Sequence, residues 1–337
     1  MTLEISTNRR NEIKECVYNT LVLYGIPSLP VKIGSIIRNI KYIKLITYSS
    51  QIKKHDITYE ELILNAETKD SYAVWNSVID RYCIYYNDIE PNIVNSNRVR
   101  WNLAHELGHI MLRHHEKAGI EKLYRKGLDD ATYKQLENEA DYFAQLILVP
   151  HVVLYAFRVR NSNDIRYLCK ISDPASKRRY YAYKKWSLHV DPNDQFDKRI
   201  FYYYFDFIYK KECKTCGAGF IQRYGRHCPI CGSTSLRWGD GEMFYPMLDT
   251  YDGKKLRICP ICENEETYFE GDYCQICGNS LVNYCRNFNC THVDPLPSNA
   301  RYCPFCGEES SFYTTGILKR WDEPNIDDIF DPELPFN

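Results

Sequence analysis

The sequence predicts an α+β chain whose mixed helix–strand portion is followed by small cysteine-built modules. Three observations carry this. The first two thirds alternate helical periodicities with short Tyr- and Ile-rich runs. A His-Glu-Leu-Gly-His motif falls inside one of the helical stretches. Beyond Glu212, twelve of the 15 cysteines fall into regularly spaced quartets.

Residues 11–24 place Ile13, Val17 and Leu21 at helical spacing, and Gly25, Pro27 and Pro30 stop that helix. Residues 42–48 and 82–86 read as strands, the second closed by an Asn87-Asp88 turn. A helix is predicted over 97–113, a charged irregular stretch over 115–130, and a second long helix over 132–148, ending before Pro150. Residues 158–186 read as short helices: 164–170, then one opened by Asp173 as cap and Pro174 in the first turn. The domain plan is a core at 1–157, a basic helical segment at 158–190 and a connector at 191–211. Modules follow at 212–240, 257–281 and 283–309, and an acidic tail at 310–337, expected to be poorly ordered from Asp322 onward.

A length of 337 residues suits two or three domains. With 43 basic and 44 acidic side chains, the chain as a whole is no polyanion binder. Neither a signal-like start nor an apolar run of about 18 residues occurs, so the chain is expected in the cytosol, with no membrane partner. In a reducing compartment, Cys-x-x-Cys pairs point to metal rather than to disulfides.

On a helix, His105 and His109 lie four apart and can present two imidazoles to one metal ion. Glu106 can reach a water held there as general base. A third ligand must come from elsewhere, and the next helix offers Glu137-Asn138-Glu139-Ala140-Asp141. Glu137 and Asp141 share a face with Ala144 and Leu148, and Ala140 lies near it; small residues there allow close helix packing. Glu139 points almost the opposite way and reads as solvated, so Glu137 is the expected ligand. Asp141 is expected to accept a hydrogen bond from a ligating ring and fix it. Two histidines, a glutamate and an open water position make a catalytic zinc site. His114 and His115 read as polar helix-end residues; His114 can alternatively line the cleft and steady an oxyanion.

The run from Arg98 to His109 (Arg-Val-Arg-Trp-Asn-Leu-Ala-His-Glu-Leu-Gly-His) resembles the active-site helix of ImmA/IrrE metallo-endopeptidases. Glu137 to Ala144, with Leu146, Leu148 and Pro150, resembles that family's second motif, and Tyr85-Tyr86-Asn87-Asp88 its strand before the active helix. The resemblance spans roughly residues 10 to 190. It implies a small thermolysin-like zincin (gluzincin) core, with zinc on His105, His109 and Glu137 and Glu106 as base. It also implies a helix-turn-helix-like segment behind the core, which 164–186 can supply. Some members of the family, which is bacterial or phage-borne, cleave a helix-turn-helix repressor, so such a repressor is the implied protein partner. Asp141 stands where the family usually has Asn.

The quartets are Cys213, Cys216, Cys228, Cys231; Cys259, Cys262, Cys274, Cys277; and Cys285, Cys290, Cys303, Cys306. Their spacing suits three four-thiolate zinc ribbons, with iron the alternative metal. The expected cofactor load is therefore one catalytic and three structural zinc ions. Cys16, Cys83 and Cys169 read as ordinary buried thiols. Acidic residues slightly outnumber basic ones across 212–320, which favours protein recognition over nucleic acid there. The stretch 158–185, with nine basic residues against Asp164 and Asp173, is a more plausible nucleic-acid surface, although a solvated helix face is the favoured reading. The edge strand near 82–86 is a place for a substrate to add as a strand. Together these readings predict a zinc-dependent endopeptidase of a specific intracellular protein. The alternative is a zinc-dependent regulator that binds a transcription factor or nucleic acid without cleaving it.

Overall fold

The computed structural model describes residues 5–94, 97–118 and 129–323. The chain divides into two compact units, Met1–Ile208 and Tyr209–Asn337. Most of the stretch read as irregular (119–128) and the end of the acidic tail (324–337) lie outside the described residues.

The first unit opens with α1 (Thr7–Tyr24), capped by the Ser6 side chain and carrying the expected apolar stripe of Ile13, Val17 and Leu21. Then come α2 (Ile33–Asn39), β1 (Ile43–Thr47), α3 (Tyr48–His55), α4 (Tyr59–Ala66), β2 (Ser71–Asn76) and β3 (Arg81–Tyr86). The active-helix region follows as α5 (Pro91–Val94), α6 (Arg98–Met111), α7 (His114–Ala118) and α8 (Asp130–Leu148). The unit closes with α9 (His151–Ala156), α10 (Ser162–Cys169), α11 (Asp173–Ser187), α12 (Gln195–Tyr203) and α13 (Phe205–Tyr209), the last ending at the unit boundary. The predicted connector thus contains two helices. Ser172, not Asp173, caps α11: its Oγ accepts from Ala175 N, while Asp173 sits inside the first turn and pairs with Lys177 at 2.9 Å.

The sheet order is β1-β3-β2, with β1 parallel and β2 antiparallel to β3. This overturns the expectation that 82–86 is an edge strand. Those residues form β3, paired on both sides, and the strand not foreseen, β2, takes an edge. Beside the sheet, α6 packs on α8, and α1 also packs on α8. A Cβ on Gly108 of α6 would lie 3.2 Å from the Ala140 backbone and from Phe143 Cβ. The bare glycine therefore permits the close α6–α8 approach that the alanines alone suggested. Cys83 and Cys169 are buried as expected, and Cys16 is partly buried. No helix among the described residues is long and apolar enough to cross a membrane.

The second unit is built around the cysteines. The antiparallel strands β4 (Lys210–Cys213), β5 (Gly219–Ile221) and β6 (Leu236–Trp238), in the order β5-β4-β6, frame the first quartet. The hairpin of β7 (Thr250–Tyr251) and β8 (Lys255–Leu256) precedes the second, and α14 (Ser311–Thr314) follows the third. Residues 310–318, assigned by sequence to the tail, belong to the fold: Phe312 and Leu318 are buried with Leu256, Leu281, Cys259 and Cys274.

The first and third modules meet through a reciprocal contact. The Pro304 carbonyl accepts from the Arg226 and His227 amides at 2.9 and 3.0 Å. The Pro229 carbonyl accepts from the Arg301 and Tyr302 amides at 2.7 and 3.0 Å. One sequence offset relates both halves, giving the junction an approximate two-fold character. Gly232 and Gly307, at φ +74° and +81°, occupy matching places against the Tyr302 and His227 rings.

Candidate metal centre and cleft

Asn97, in the left-handed region, precedes α6, and His105 and His109 then fall one turn apart on it. The Nε2 atoms of the two rings lie 3.0 Å apart. Glu137, on α8, brings Oε2 to 3.3 Å from His105 Nε2 and Oε1 to 3.4 Å from His109 Nε2. A zinc ion about 2.0–2.1 Å from each of three tetrahedral ligands needs them about 3.3 Å apart, so the donor set fits in type and spacing. The electrostatics agree. Burial alone would depress His105, but the Asp141 and Glu137 carboxylates overcome it and hold the ring at about 10. Burial pushes His109 down to about 3. Despite burial, hydrogen bonds from both rings hold Glu137 well below the carboxylate range.

Asp141 Oδ1 lies 3.0 Å from His105 Nδ1, where it fixes the ring. Glu106 is buried, and its Oε1 accepts from Ser71 Oγ at 2.8 Å, with further support from the Ala73 backbone amide. Burial raises its pKa, and these donors oppose the rise. Neither Ser71 nor Ala73 was picked out from sequence. The Ser71–Asn76 run carries no Ile and only one Val, which hid β2, although its Tyr72, Val74 and Trp75 were a usable strand signal.

Behind the rings the structure corrects two expectations. Glu139 is not solvated: it is 2% exposed and accepts from Arg9 Nε and Nη2 at 2.8 and 2.6 Å. His114 does not line the cleft: it is fully buried, its Nδ1 2.9 Å from His109 Nδ1 and its Nε2 3.2 Å from Glu139 Oε2. The cause is that α8 is covered on two faces, by α6 and by α1, so residues pointing away from the metal triad also face protein. With His109 Nε2 turned to the triad, one hydrogen per contact is achieved when His109 donates to His114 and His114 to Glu139. His115 reaches the cleft instead. It is held near 4 by burial, and its Nε2 lies 3.3 Å from the Ala73 carbonyl. With that hydrogen spent on Ala73, its Nδ1 has none to offer an oxyanion.

The triad opens into a cleft of about 800 Å³. Ser71–Ala73 of β2, Trp101 and Asn102 of α6 and Arg178 and Arg179 of α11 line it. Residues 52–182, which contain both motifs, match the family model Peptidase_M78, described as an IrrE N-terminal-like domain. This stretch is similar to an IrrE N-terminal-like domain. The match is narrower than the resemblance drawn from the motifs. Arg9, β1 and α12 lie outside the matched residues, yet Arg9 supports the network behind the domain's metal triad. No curated protein matches the chain significantly.

In the second unit the three cysteine quartets close up as the spacing predicted. Their Sγ pairs lie at 3.5 and 3.6 Å in the first, 3.6 and 3.6 Å in the second and 3.4 and 3.9 Å in the third. A disulfide needs about 2.05 Å, whereas four thiolates about 2.3 Å from zinc stand about 3.8 Å apart. The three four-cysteine clusters and the His105, His109, Glu137 set therefore make four metal-capable groups among the described residues.

Proposed function

We propose that the IrrE N-terminal-like domain is a zinc-dependent endopeptidase acting on a specific intracellular protein, and that the cysteine modules select that protein. The observation that carries the reading is the tetrahedral spacing of His105, His109 and Glu137 with the Glu106 carboxylate held beside them by Ser71. Zinc bound there would supply a Lewis acid and a water acidified towards neutral pH. The rest falls to the chain. His105 and His109 are oriented from behind by Asp141 and His114. Glu106 keeps one oxygen on Ser71 and uses its carboxylate to take a proton from the attacking water and deliver it to the leaving amine. A helix-turn-helix repressor is the substrate class that the family resemblance favours, and the cytosol the compartment. Four-thiolate sites have no vacant position for chemistry, so the modules serve recognition.

Glu106→Gln tests the assignment. It should retain the metal and lose hydrolysis of a generic peptide by about 10²- to 10⁴-fold. A variant as active as the parent would reject Glu106 as base. A zinc-loaded parent that hydrolyses no peptide would turn the reading towards a regulator that binds without cutting.

A further inference from the structure

One stripe of α11 lines the cleft: Ser172 at its cap, then Pro174, Ala175, Arg178 and Arg179. This divides the basic stretch that sequence offered as a nucleic-acid surface. Lys177, Lys184 and Lys185 are exposed, Lys177 already paired with Asp173, while the two arginines join the cleft.

Three other arginines of this unit have acidic partners. Arg98 on the same cleft pairs with Asp70 at 2.6 Å, Arg9 with Glu139, and Arg199 with Glu15. Arg178 and Arg179 make no hydrogen bond or ion pair with any described residue. Arg179 is partly buried, its guanidinium carbon 5.6 Å from the Trp101 ring centroid, and its Nε is buried without a partner. Burial and then the adjacent Arg178 lower its pKa, which marks a cation lacking a counter-charge. The carboxylate that opposes this lowering is Asp141, whose Oδ1 is already on His105. Two successive arginines, Arg178 exposed and Arg179 partly buried over the Trp101 ring, on the wall of a cleft that also holds the metal triad form a fork for an anion.

We propose that Arg178 and Arg179 form a specificity subsite that binds an acidic side chain, Asp or Glu, of the protein substrate. The subsite rests on the peptidase reading for its role, but not for its existence. Trp101 holds Arg179 in place, and the substrate carboxylate supplies the charge that the fold withholds. The location beside Glu106 and β2 favours an extended peptide over a phosphate backbone.

The test uses the zinc-loaded full chain and short fluorogenic peptides that differ only in carrying Glu, Gln or Lys at one position, scanned along the sequence. At one position Glu should raise kcat/KM over Gln by about tenfold to a hundredfold. Arg178→Gln and Arg179→Gln should shrink that ratio by lowering the Glu peptide's rate more than the Gln peptide's, with the metal content unchanged. The double Arg178→Glu, Arg179→Glu variant should prefer Lys. Binding of the same peptides to the metal-loaded Glu106→Gln protein, read by fluorescence anisotropy, should show the same ranking. A binding preference without any hydrolysis upholds the subsite and rejects the peptidase reading. Hydrolysis with equal rates for Glu and Gln at every position overturns the subsite alone. So does an equal loss on both peptides in the Arg179→Gln variant, or a loss confined to DNA binding.

Discussion

Arg9, Glu139, His114 and His109 form a chain of contacts from α1 to the metal triad, and Glu139 is its hinge point. Burial alone would raise the Glu139 carboxyl, but hydrogen bonds from His114, Arg9 and Gln135 bring it down to about 2. A depressed carboxylate contributes stability at pH values above its ordinary value near 4.5, and that contribution is lost as pH falls towards about 2. Glu139→Gln removes the charge and leaves Arg9 with Glu12 as its acidic partner. It should cost about 3 kcal/mol at neutral pH, measured by urea denaturation. Zinc affinity should fall by about tenfold to a hundredfold, because His109 loses its orienting support. An unchanged denaturation midpoint would mean that the network carries no stability. Glu137→Ala, in contrast, should weaken the metal with a smaller effect on the rest of the fold.

At the scale of elements, β2 is the strand that connects sheet and chemistry. It is an edge of the sheet, and Ser71 and Ala73 both donate to Glu106. These donors favour the ionised carboxylate. Ser71→Ala should therefore raise the pKa of the base, and a base acts only when ionised. The acid limb of the kcat/KM profile should move to higher pH by about one unit, with zinc content unchanged. A limb that stays in place would show that Ser71 does not tune Glu106. The α6–α8 pair is the other functional element. Gly108 against Ala140 sets the helix separation, and that separation sets the reach of Glu137 to the two rings.

Across the whole molecule, the proposed catalytic groups lie in one compact unit and the cysteine quartets in the other. Among the described residues of the second unit the apolar clusters are small, and each includes cysteines of a quartet. Metal bound by the quartets would then supply much of its stability. The full chain should carry about four zinc ions by elemental analysis, one for each metal-capable group. A chain ending at Ile208 should fold, hold about one and cleave generic peptides, yet lose its natural target. A truncated chain that is folded and zinc-loaded but inert towards every peptide would overturn this division. So would one that cleaves the natural substrate as fast as the full chain.

His105, Glu106, His109, Glu137 and Asp141 were legible in the sequence because one helical period places each on a known face. The quartets were legible because thiolate spacing within a knuckle is a local property. Periodicity says which way a side chain points, but not what a third element lays over it. That is why Glu139 read as solvated and His114 as a polar helix-end residue or, alternatively, a cleft residue until α1 was seen to cover α8. The same limit hid the edge position of β2, the partnerless Arg179 and the reciprocal contact of the first and third modules. Each depends on segments distant in the chain meeting in space, so only the tertiary structure decided them.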